Sequence, residues 1–520
     1  MGMTLTRRAG LAAALAAPFI PHRAQAAGTA NLVLESEALF LDPHFTTAAI
    51  SRTFATHVYD ALFATDEQGK IQPQMAEGHD RSSDGLTWTI PLRGGLKWHD
   101  GAPVTAEDCV ASLRRWAPRD SVGRLLLAAT DAFEAKDART IVIRLKRPFP
   151  LVLETLGKPN ALAPYMIPAR LAAKPPEQRI SEVIGSGPFR FLPGEWRPGD
   201  SMVLERNPDY VPRAEPPSFL AGGKRVKLDR TVWKVMPDQA TAAAALIANE
   251  IDYVQYTAFD WIDRLARTRG VELMGLGGPH MFQGNFRLNH AAPPFDDPAI
   301  RKVLWKLVDQ TGIMQAIGVP DRFARNNCTS FWMCDAPLES KAGAEVFRFS
   351  VEEAKKELAA TSYKGQPVIM MEVSGSISQT ASMVLAQSLK DAGFTVDQQV
   401  MDWGTVLQRR ARKEGWSMFS VYSNGFDMIS PLTHFYTAAA CADFPGWSCD
   451  ERVPKLMSDF ASAPDQAARQ RIADEIQRVC FELTPSLMWG QFTIPASYRT
   501  HMQGLIRSSF PVFWEVEKTA

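Results

Sequence analysis

The side chains able to do chemistry in this chain are spread out rather than clustered. The adjacent acidic pair Asp296-Asp297 has the composition for acid–base work, but it stands immediately before Pro298, where a carboxylate caps the first turn of a helix. The nine histidines fall without metal-ligand spacing, and Gly275, Gly277 and Gly278 lack the third glycine of a dinucleotide loop. No GxSxG, HExxH, GxxxxGKS/T or CxxC stretch occurs. These observations predict a binding protein with no metal and no cofactor. An exported hydrolase or cofactor-carrying enzyme is the alternative from another class, to be recognised by turnover or an absorbing cofactor.

The cysteines carry a different chemistry. Cys328 and Cys334 share one short loop (CTSFWMC), and Cys441 and Cys449 another (CADFPGWSC). Zinc would want CxxC-type spacing with histidine, so two small disulfide-closed loops are expected, as suits an oxidising compartment. Cys109 and Cys480 fall in helical patterns and are expected to be buried free thiols.

Export is also written at the N-terminus. Thr6-Arg7-Arg8-Ala9-Gly10-Leu11 is a twin-arginine pattern, Ala12 to Ile20 is a short apolar run, and Ala24-Gln25-Ala26 is an A-x-A cleavage site. No cysteine follows it to carry a lipid, and a soluble periplasmic protein is expected. Lys+Arg and Asp+Glu both number 57, and loss of the leader's three arginines leaves a charge near −3. That gives no reason to expect a nucleic-acid or anionic-membrane partner. With 520 residues, the chain is too long for one core and predicts two to four domains.

The elements that must position any site alternate between strand and helix. A strand at Asn31 to Glu37 and an Asp42-Pro43-His44 turn lead to a helix from about Ala48 to Leu62. Trp88, Ile90 and Leu92 share one strand face, and Pro91 places that strand at a sheet edge. Thr105 and Asp108 form a capping box, and a second hairpin spans Phe133 to Lys146. Strands at Asp229–Val235 and 250–253 flank an Ala-rich helix. Later strands near Val368–Val373, Val396–Met401 and Met418–Tyr422 alternate with helices near Val351–Ala360, Gln379–Ala392 and Trp403–Lys413. Between the halves lies GNFRLNHAAPPFDDPAIRKVLWKLVD, Gly284 to Asp309. It reads as a strand with one buried face, a Pro-Pro connector, and an amphipathic helix capped by Asp297.

That central string resembles the "LN…PPFDDPxxRKAL" segment of the family 5 extracellular solute-binding proteins, the peptide and dipeptide receptors of ABC importers. SSDGLTWTIPLRGGLKWHDGAPVTAEDCVASLRRW, from Ser82 to Trp116, is similar to the family's signature almost position for position. Gly185-Ser186-Gly187-Pro188-Phe189 and Glu205-Arg206-Asn207-Pro208-Asp209-Tyr210 match its "GTGPF" and "ERNPDY" motifs. The resemblance implies an α/β, two-lobe periplasmic-binding-protein fold with an extra subdomain in the first lobe. It divides the chain into a leader (1–27), lobe I (28–70 and 185–279) with its subdomain (71–184), lobe II (280–486) and a return to lobe I (487–520). A monomer would capture a small molecule or peptide between the lobes and dock on an inner-membrane ABC permease. The resemblance places ligand-lining residues at Phe45, Thr46 and Thr47, at Phe282 and Gln283, at Trp403, and at Asp427 and Met428. Asp427 and Pro431 keep the spacing of the peptide receptors' ammonium-binding aspartate, whereas Asn424, Met428 and Ser430 replace its aromatic and acidic companions. Phe282 and Trp403 have core packing as their competing role, and Asp427 has turn capping. A metal chelate, an opine or a sugar is the alternative ligand class.

Overall fold

A computed structural model describes residues 28–519. The leader lies outside the described residues.

Two mixed sheets and one antiparallel sheet organise the protein. The first has seven strands, in the order Val271–Met274, Ala496–Arg499, Tyr253–Val254, Thr29–Val33, Arg230–Lys234, Ser201–Arg206 and Phe189–Phe191. Thr29–Val33 runs parallel to both of its neighbours. The second sheet has six strands: Ala324–Arg325, Ser486–Phe492, Phe282–Leu288, Met418–Asn424, Val368–Val373 and Val396–Met401, the last three parallel. Asp80–Arg81, Thr87–Pro91, Thr140–Leu145 and Thr130–Asp137 form the antiparallel sheet of the extra subdomain.

The connections decide where a ligand could sit. Strand Val271–Met274 is antiparallel to Ala496–Arg499, which is antiparallel to Tyr253–Val254, so Met274 lies at the end where the first sheet's parallel strands finish. From there the chain crosses to Phe282, which pairs with Asn424 at the end where Met418–Asn424 finishes. Residues 493–495 cross back at the same place. The carboxyl ends of the parallel strands in both lobes therefore face one cleft, the position where open α/β sheets bind ligands.

Several local expectations change in the folded chain. Strand Phe282–Leu288 is an inner strand and is buried on both faces. Its Arg287 guanidinium is boxed by Phe444, Tyr436 and Phe419, at 4.5, 4.9 and 5.6 Å from the ring centroids. Thr87–Pro91 is an inner strand. Its two-residue neighbour covers only Trp88 and Thr89, which leaves Pro91 free of that ladder. Ser486–Phe492 still belongs to the six-stranded sheet, so the chain rejoins the first sheet at Ala496, later than expected. Caps follow the sequence closely. Asp297 accepts the Ala299 N–H at 2.8 Å, and Thr105 with Asp108 closes a reciprocal capping box. Cys328–Cys334 and Cys441–Cys449 are disulfides, while Cys109 and Cys480 are buried free thiols.

Candidate functional site

The helix Ala49–Val58 is buried along almost its whole length, because it packs beneath the first sheet with Phe54, His57 and Val58 inward. A charged residue within it cannot reach bulk water. Arg52 is that residue, with its side chain 3% exposed. Its Nη1 points at Asp427 Oδ2 across the cleft at 3.5 Å, and its guanidinium lies over the Phe510 ring at 4.5 Å. Nε of Arg52 has no hydrogen-bond partner among the described residues.

Asp427 is held from the opposite side by backbone. Gly425 accounts for the position of its loop: a Cβ there would meet the carbonyl oxygens of Pro279 and Met281 at 2.6 and 2.7 Å. The loop thus packs against the crossing segment, and Asn424 caps its single helical turn by accepting the Phe426 N–H at 3.1 Å. Asp427 Oδ1 then accepts the Ala161 N–H at 3.0 Å, and the Asn160 amide donates to the Phe426 carbonyl. Ser121 donates to the Leu432 carbonyl at 2.9 Å, and Arg469 reaches Glu154 at 3.4 Å. Along this seam the lobes are already joined.

Beside the seam lies a cavity of about 360 Å³ with walls from both lobes. Val122, Leu151, Phe219, Phe426, Leu432 and Phe460 give it a mainly apolar lining, and Lys158, held by Asp120, and Arg469, paired with Glu154, add two cations. Phe219 stacks on Phe426 at 5.3 Å, and both pack against Phe510, the ring beneath Arg52. A partition of three aromatic rings thus separates the cavity from the charged pair.

On the other side of Arg52 the two strand ends face one another, with no ion pair between them among the described residues. Glu35 follows the first strand and is half-buried. Its Oε2 accepts the Tyr256 hydroxyl at 2.9 Å, and its own N–H donates to Gln255. Burial raises its pKa, opposed by the Tyr256 hydrogen bond and by the charge of Arg52. Facing it, Tyr422 on Met418–Asn424 is pushed up to about 12 by partial withdrawal from water and by the charge of Glu35. Tyr256 and Tyr422 pack edge-on against Phe282 at 5.6 and 5.4 Å.

Of the residues expected at the site, Phe282 and Asp427 come to these facing ends. Trp403 opens the helix Trp403–Arg409 and is exposed, with the Arg410 guanidinium 5.5 Å from its ring. Phe45 stacks on Phe40 at 6.0 Å, Thr46 accepts the Ala48 N–H in a local turn, and Thr47 is exposed. Gln283 points away from the cleft into the lobe II interior, its amide donating to the Ser330 and Phe331 carbonyls. Met428 is fully buried among Met281, Met333 and Tyr436. The sequence reading missed Glu35, Arg52, Tyr256 and Tyr422. The one available signal was an arginine inside a helix otherwise patterned for burial.

Residues 70–446 match the family model of the bacterial extracellular solute-binding proteins, family 5. The chain belongs to that family. It is 34% identical over 546 residues to the probable peptide ABC transporter periplasmic-binding protein y4tO of Sinorhizobium fredii, which covers 99% of this chain and 100% of that relative. Among solved structures, DppA from Helicobacter pylori in complex with the peptide STSA superposes with a TM-score of 0.78 at 19% identity, covering 95% of this chain and 98% of that one. AgaA from A. tumefaciens R10, in complex with agropinic acid, gives 0.74 at 22% identity over 94% and 96%. The protein is a solute-binding protein of the ABC-importer class, with the two-lobe α/β fold of these family 5 receptors.

Proposed function

We propose that this family 5 protein captures a short peptide, or a solute carrying peptide-like groups, between its lobes and delivers it to a membrane permease. The observation that carries the reading is the convergence of polar and aromatic side chains from both lobes on one cleft, next to a cavity large enough for a ligand side chain. The name of the S. fredii relative supports a peptide as ligand. The protein acts in the periplasm, reached through its twin-arginine leader, as a monomer and without a chemical step. Its closed form presents both lobes to the permease. Lobe I spans 28–279, with the subdomain at 71–184, and lobe II begins at 280. Asp427, with Arg52 and Ala161 already on its oxygens, is the contact that closes the lobes over the solute.

Native mass spectrometry of protein purified from its own host tests this reading. A stoichiometric small molecule that is lost on denaturation is expected. Protein that carries nothing, and whose scattering profile stays unchanged through a screen of peptides, would contradict it.

A further inference from the structure

Around Arg52, at the facing strand ends, stand two carboxylates, Glu35 and Asp427, and this one guanidinium among the described residues. Their bonding is uneven. Asp427 is satisfied from within by Arg52 and the Ala161 N–H, while the carboxylate of Glu35 has the Tyr256 hydroxyl and the Ile50 backbone N–H beside it and no cation at hydrogen-bond distance among the described residues. Arg52, for its part, uses one of its five N–H donors, at 3.5 Å. The site is thus one positive charge short of balance, with a free acceptor on Glu35 and free donors on Arg52, both on lobe I.

The geometry points to Glu35 as the anchor for a cationic group of the ligand, a free α-ammonium, with the adjacent ligand carbonyl accepting from Arg52. An ammonium there neutralises the site. A ligand ammonium at Asp427 would instead have to share its carboxylate with a buried guanidinium of like charge. The inference rests on the receptor reading and refines it by fixing which end of the ligand goes where.

The pH dependence follows. A bound cation favours the ionised form of Glu35, so affinity for it falls as pH drops through the raised pKa of that carboxyl. The charged and titratable groups facing Glu35 are Arg52, Tyr256 and Tyr422. Both phenols are shifted upward and stay neutral over that range.

The test uses the full mature chain and a panel of dipeptides and tripeptides with free N-termini, their N-acetylated counterparts, and simple primary amines such as phenethylamine. Thermal shift selects binders and calorimetric titration measures them. Free amines are expected to bind at least ~10-fold more tightly than acetylated partners, the scale of a close charge pair. Glu35→Gln should abolish that preference and flatten its pH profile, with a normal melting transition showing that the variant folds. Asp427→Asn should keep the preference whatever it does to overall affinity. Equal binding of acetylated peptides, or a preference lost in Asp427→Asn and kept in Glu35→Gln, overturns the proposal. Silence across the whole panel also overturns it, while a solute retained from the native host would leave the receptor reading standing.

Discussion

Arg115 and Arg52 are both buried arginines facing an aspartate, and they are bonded very differently. Arg115 donates to the carbonyls of Lys174, Pro175 and Gln178 at 2.6–2.8 Å and to Asp42 at 2.9 Å. Asp42 in turn accepts the His44 and Ile180 N–H groups, and neither side chain of the pair is exposed. Arg52 has one long contact across the cleft and an aromatic ring beneath it. A buried charge is tolerable when its hydrogen-bonding capacity is filled. The first pair comes close to that condition within lobe I, with four hydrogen bonds on the guanidinium and Nε alone unpartnered among the described residues, and is part of the scaffold, tying the Asp42-Pro43-His44 turn to the subdomain. The second leaves donors open where two lobes meet, which is what a site that waits for a ligand requires.

The comparison predicts a graded set of outcomes. Asp42→Ala should be the most damaging change. It leaves Arg115 buried without its charge partner and should cost about 3–5 kcal/mol of stability in denaturant melts. Gly425→Ala comes next, because its Cβ collides with the crossing segment. About 1–3 kcal/mol is expected for such overpacking, together with weaker solute binding as the Asp427 loop shifts. Arg52→Met should cost only about 1 kcal/mol, the scale of one weak hydrogen bond, yet lower solute affinity. If Arg52→Met proved as destabilising as Asp42→Ala, the two pairs would be equivalent and the distinction would fail.

The smallest expected effect separates two pH dependences of opposite sign. His44, His57, His99 and His280 are lowered to about 4, and His290 and His434 to about 3, chiefly by burial. Folded pKa values below the unfolded one mean that their contribution is present above the ordinary histidine range and is lost as pH falls from about 6.5 towards 4. The melting temperature should drop across that window. Glu35 works the other way, since its raised pKa makes the ionised form a cost at neutral pH that protonation relieves. Ligand-free Glu35→Gln should therefore melt slightly above wild type at pH 7.5, with the difference vanishing in acid.

Much of the scaffold was legible because it is written locally. Asp297 before Pro298, Thr105 three residues before Asp108, and paired cysteines within short loops each state their structure within a few residues. The cleft was legible only in part. Asp427 could be found from its spacing to Pro431, but its partner Arg52 lies 375 residues away in sequence, and no local pattern joins them. Gln283 and Met428 were expected at the ligand because they adjoin residues that do reach the cleft. Strand alternation turns Gln283 from Phe282 into the core, and the tight turn after Gly425 buries Met428. Glu35 looked like the end of a strand, and its value depends on Tyr422 from the other lobe.

Hydrogen exchange of the mature protein, with its native solute bound and after stripping by denaturation and refolding, tests the central claim that solute is captured between the lobes. Slowed amides are predicted together at 34–36 and 158–161 of lobe I and at 420–428 of lobe II, with the subdomain strands Thr87–Pro91 and Thr140–Leu145 unchanged. Protection confined to one lobe, or found only in the subdomain, would contradict it.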